Sequence, residues 1–127
     1  MLEPYRNDGL PHTLICEIYA VSLISWNTSA RFTHRPRPDV RYIWNLTVKA
    51  LNEDFQTPSF STVLASILDL IGRPITSITY NAVNLGRTVA LAQSLGLNRN
   101  PVSWNIEQRQ KGLRIRTWWG LLIHDWW

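Results

Sequence analysis

Apolar residues in this chain recur at steps of three and four in five stretches, the first four each ended by proline, glycine or a polar turn. That spacing keeps one face of an α-helix apolar and leaves the other for water. No long alternating stretch competes with it, and Thr76 to Tyr80 is β-branched but too short to matter. The expected fold is all-α: about five helices stacked as antiparallel pairs through short loops.

Each segment has its own punctuation. The first runs from about His12 to Trp26, after Pro11, and is apolar over so broad a face that it reads as nearly surrounded. Pro36 and Pro38 break the chain, and Asp39 is placed to cap a second helix over Val40 to Phe55. Its stripe is Ile43, Trp44, Val48, Leu51 and Phe55. Ser59 or Ser61 starts a third helix that ends at Gly72. The fourth spans about Ile78 to Leu95 and is closed by Gly96. Gly86, in its middle, predicts a close approach to another helix. The fifth starts near Ile106, with Ile115, Trp119, Leu122 and Trp126 on one stripe and Trp118 and Ile123 beside it. It shows no stop signal before Trp126-Trp127. Residues 1–127 are therefore expected to be one partial domain, truncated at its C-terminus and part of a larger helical unit.

Composition removes whole classes of function. The single cysteine, Cys16, permits neither an internal disulfide nor a thiolate zinc site. His12, His34 and His124 are too scattered for metal-ligand spacing. No signal peptide or membrane-length apolar run is present, so an intracellular protein with a reduced thiol is expected. The net charge of +4 is spread over the chain. Its densest patch, Arg31 to Arg41, reads as a solvated proline-rich connector or, alternatively, a phosphate contact. Carboxylates at Glu17, Glu53, Asp54, Asp69, Glu107 and Asp125 form no pair along one helix, and an acid pair between helices is not visible in sequence.

The most informative segment is Leu113 to Asp125. Trp118 and Trp119 are adjacent, with Arg114 and Arg116 within one turn before them. Adjacent helical residues point about 100° apart, so the two indoles cover a wide sector. Each buries roughly 150–250 Å² when packed, which suits them to anchor one helix among neighbours. Asp125 needs a basic partner from another helix, and Arg87 is the candidate. Upstream, Leu85 to Arg99 is a helix rich in small residues that ends in Leu95-Gly96-Leu97 and a polar turn.

In this order, these two segments resemble the fungal-specific transcription factor domain. That is the regulatory middle homology region of fungal zinc binuclear cluster transcription factors. The family pattern is a helix ending in Leu-Gly-Leu, a Trp-bearing loop, then Arg-x-Arg-x-Trp-Trp followed by Asp. Trp104, Arg114, Arg116, Trp118, Trp119 and Asp125 match it, while Thr88, Asn98 and Asn100 depart from it mildly. Tyr19-Ala20 and Trp44 to Leu51 also match family positions, so the likeness covers roughly Leu10 onward. The chain lacks the six-cysteine cluster.

The resemblance implies a regulatory, non-enzymatic role in transcription activation and a nuclear location. It implies DNA contact and zinc only through a separate N-terminal module. No cofactor is expected in this chain, and a protein or small-metabolite effector is the implied partner. Arg114, Arg116, Trp118, Trp119 and Asp125 are expected to lock the fifth helix into the bundle. Two rivals remain open: a fragment of a helical hydrolase using Asp125 or Glu107, and a generic helical interaction scaffold.

Overall fold

The computed structural model describes residues 10–32, 34–73 and 77–126, with the side chains of Asn27, Asp125 and Trp126 outside that description. Trp127 also lies outside it. Among the described residues the chain is all helix and turn, without strands. The helices are α1 (His12–Ser22), α2 (Val40–Asp54), α3 (Phe60–Gly72), α4 (Ile78–Ser94) and α5 (Gln108–Trp126). None is long and apolar enough to cross a membrane.

The local signals act as physical chemistry requires. Asp39 caps α2, its carboxylate accepting from the N–H groups of Arg41 at 3.1 Å and Tyr42 at 3.3 Å. Ser77 does the same for α4, accepting from the Tyr80 N–H at 3.1 Å. At Ser59, the start of α3 is fixed by its N–H donating to Thr62 Oγ1 at 3.0 Å. Gly96 takes φ +75°, a left-handed conformation that glycine adopts without strain, and closes α4.

Three expectations change. The first helix stops at Ser22 and tightens into a 3-10 segment, Leu23–Thr28. It is not surrounded, because Ile18, Tyr19 and Ile24 are exposed. Gly86 faces open space: a Cβ there would meet no atom within 4 Å. The close approach is at Gly72 instead, where an added Cβ would lie 2.6 Å from Val21 Cγ2 of α1.

Packing is organised around α3, which touches all four other helices. On one side Val63 joins Ala92, Leu97 and Leu121 in a buried cluster, with Phe60, Ile67, Val89 and Trp118 packed around it. On the other, Ala65 joins Leu14 of α1 and Leu51 of α2. Small residues at the centre of α3 let its neighbours approach closely. The basic segment after the 3-10 turn keeps Arg31, His34, Arg35, Arg37 and Arg41 exposed, as a solvated connector does, and is held at two points. Phe32 stacks on Trp26 at 4.5 Å, and Arg37 donates to the Leu23 carbonyl at 3.3 Å.

Candidate functional site

Helix α5 is positioned by Arg114. Its Nη2 donates to the Leu95 carbonyl at 2.6 Å, satisfying an orphan acceptor at the end of α4. The guanidinium also sits 5.0 Å from the Trp104 ring and 5.9 Å from the Phe60 ring. Trp104 in turn lies against Gly96, where a Cβ would be 3.6 Å from its Cη2. The Leu-Gly-Leu turn, the loop tryptophan and the first motif arginine thus form one contact. Their spacing in sequence has a physical cause.

The remaining motif residues divide. Thr117 and Leu121 are buried, and Trp118 packs against the α3–α4 cluster. Trp119 does not anchor the helix: it is 61% exposed. The correction follows from helix geometry. At 100° per residue Trp119 lies 200° from both Thr117 and Leu121, on the opposite face. Ile115 and Ile123 are exposed beside it, so the expected Ile115–Trp119–Leu122 stripe is not the buried one. Arg116 is exposed, with its guanidinium over Gly112, where an added Cβ would lie 2.9 Å from Nη1. The Asp125 side chain lies outside the described residues. Arg87, its candidate partner, donates to Asn84 Oδ1 at 2.9 Å and Asn52 Oδ1 at 2.7 Å, and sits 4.0 Å from the Phe55 ring. It ties α4 to α2.

A second constellation was not legible as a site in the sequence. Glu17 of α1 and Asp69 of α3 are both 0% exposed. Asp69 Oδ2 accepts from Arg73 Nε at 3.2 Å and Asn84 Nδ2 at 3.2 Å. Arg73 also donates to Asn81 and lies 4.6 Å from the Tyr80 ring. Both Glu17 oxygens, Asp69 Oδ1, Ser66 Oγ and the Tyr80 hydroxyl have no hydrogen-bond partner among the described residues. Burial, and then the neighbouring Asp69, push the Glu17 carboxyl up to about 9 against the opposing pull of Arg73. Asp69 is also raised by burial, while Arg73 and Arg87 hold it down. Glu17 is therefore protonated at neutral pH. The visible signals were Glu17 inside an otherwise apolar run and Asp69 inside Ile67-Leu68-Asp69-Leu70-Ile71. Their pairing depends on two helices meeting.

Two buried carboxyls that influence each other's ionisation, one of them held protonated, have the form of an acid–base pair. Here both are sealed from solvent, so no substrate reaches them. The arrangement binds helices together. Among the described residues no group of three or more His, Cys, Asp or Glu is arranged to hold a metal ion.

Comparison with known proteins identifies the family. Residues 3–127 match the model of the fungal specific transcription factor domain. An uncharacterized transcriptional regulatory protein of Schizosaccharomyces pombe is 34% identical over 97% of the chain, which covers 19% of that protein. The transcriptional activator protein DAL81 of Saccharomyces cerevisiae is 28% identical over 97% of the chain, which covers 12% of it. The chain thus spans less than a fifth of the length of these relatives. No solved structure matches it.

Proposed function

Because the chain belongs to the fungal specific transcription factor domain family, we propose that it is the regulatory module of a fungal transcription factor and acts in the nucleus. The observation that carries this reading is the Arg114 contact, which joins the Leu-Gly-Leu turn, Trp104 and α5 into one unit. The module has no catalytic task in this reading. Its buried carboxyl pair is closed to substrates, and the described contacts of its motif residues fix helix positions.

DNA contact and zinc belong, in this proposal, to a separate cysteine-rich module of the same factor. The 127 residues then form a partial domain. The exposed stripe of Ile115, Trp119 and Ile123 supports this, since such rings favour contact with further polypeptide of the same factor. The helix arrangement is the quantity an effector would bias.

The test is transcriptional. Arg114→Ala is introduced into the full-length factor, and transcripts of its target genes are measured together with its occupancy at their promoters. The expected outcome is altered transcript output at unchanged occupancy. Unchanged transcripts would remove the regulatory role, and lost occupancy at normal protein levels would assign this segment to DNA binding.

A further inference from the structure

A cavity of about 600 Å³ opens between α2, the end of α3 and the start of α4. That volume lies in the range of small-molecule sites. Its apolar wall is Val40, Trp44 and Val48 on successive turns of α2. Its polar wall is Arg41, Arg73 and Ser77, with the Tyr80 ring beside Arg73. Among the described residues no carboxylate lines it. Asp39, the nearest acid in sequence, is committed to capping α2.

Two features concentrate positive potential in this space. Val40 and Arg41 are the first residues of α2, whose N-terminus the Asp39 carboxylate offsets, while α4 is capped by the neutral Ser77 hydroxyl, so the positive end of one long helix reaches the cavity. The Arg73 side chain is only 8% exposed and is held in place by Asp69 and Asn81, which fixes its charge at the inner wall. Arg41 is exposed and carries a second guanidinium at the rim. Apolar walls with two guanidiniums and the N-terminus of α4 complement one ligand chemistry: an acid group on an apolar body.

We propose that this cavity binds a small organic acid, its apolar body against Trp44, Val40 and Val48 and its anionic group at Arg41 and Arg73. Arg73 also bonds Asp69 of the buried seam, so a ligand there acts on the group that joins the end of α3 to α4. The site stands on geometry and charge, and its existence does not depend on the transcriptional reading.

The experiment is a titration of the isotope-labelled chain with phenylacetate, followed by amide and indole N–H shifts. The neutral 2-phenylethanol is the control. Phenylacetate should give saturable shifts centred on Trp44, Ser77 and Tyr80, with affinity about tenfold or more above that of the alcohol. Arg41→Gln, at an exposed position, should weaken phenylacetate about tenfold with no change in thermal melting. Val48→Trp should abolish binding by filling the cavity. The proposal is overturned if phenylacetate shows no saturation at about 10 mM. It is equally overturned if the alcohol binds as well, or if Arg41→Gln binds as the unaltered chain does. None of these failures touches the transcript experiment above.

Discussion

Helix α3 packs through apolar clusters toward α4–α5 and toward α1–α2, and through a buried polar seam toward α1 and α4; the α5 side and the seam differ in chemistry. Toward α4 and α5 it offers Val63, Phe60 and Ile67 to Leu121, Ala92 and Leu97, and stability there grows with the apolar area removed from water. Toward α1 and α4 it buries Ser66 and Asp69, with Asp69 accepting from Asn84 of α4 and from Arg73 at the end of α3 itself, and with Glu17 of α1 buried as well. On that side each buried polar group costs free energy unless a partner meets it with good geometry. The apolar flank holds the helices together. The polar flank selects one arrangement of them, and its unpaired oxygens mark where that selection costs stability.

The largest effect should come from the apolar flank. Leu121→Ala removes a fully buried side chain and should cost about 2–5 kcal/mol in urea denaturation. A loss under about 1 kcal/mol would mean that the α3–α5 contact contributes little.

A smaller effect, with a distinctive pH signature, is expected on the polar flank. Unfolded Glu17 titrates near 4.5, whereas the native carboxyl, facing Asp69, Arg73 and Tyr80, titrates at about 9. Between these values the unfolded chain binds fewer protons than the native one, so Glu17 makes stability fall as pH rises. The loss begins above about 4.5 and is complete only above about 9. Glu17→Gln removes this slope. The variant should match the unaltered chain near pH 4 and exceed it near pH 8, as read from urea midpoints across pH. Parallel profiles would show that the carboxyl is ionised in the native state.

The smallest effect is expected outside both flanks. Trp119→Ala should change the stability of this chain by less than about 0.5 kcal/mol. Trp118→Ala, which opens the buried cluster, should cost about 2 kcal/mol or more. Equal losses for the two tryptophans in thermal melting would contradict their placement on opposite sides of α5.

Much of the fold was legible because its signals are local. Helix type follows from apolar spacing, and Asp39, Ser59 and Gly96 mark their boundaries by chemistry that acts within a few residues. The α5 motif was legible as a unit in sequence; in the structure Arg114 bonds the end of α4 and Trp118 packs on the apolar cluster. Trp119 misled because an aromatic residue on an apolar stripe reads as core whichever stripe is buried. On α5 the buried face includes Thr117, a polar residue whose hydroxyl is satisfied by the Leu113 carbonyl at 2.7 Å. Composition therefore pointed to the wrong side. Gly86 misled similarly, since a mid-helix glycine signals contact only if a neighbour arrives.

The sequence by itself determined the helices, their caps and the family, because each is written in residues a few positions apart. Tertiary structure alone decided which face of α5 turns inward, that Glu17 meets Asp69, and that two helix starts and two arginines share one cavity. These are encounters between residues distant in the chain, and their energies depend on separation and burial, which arise only when the helices pack.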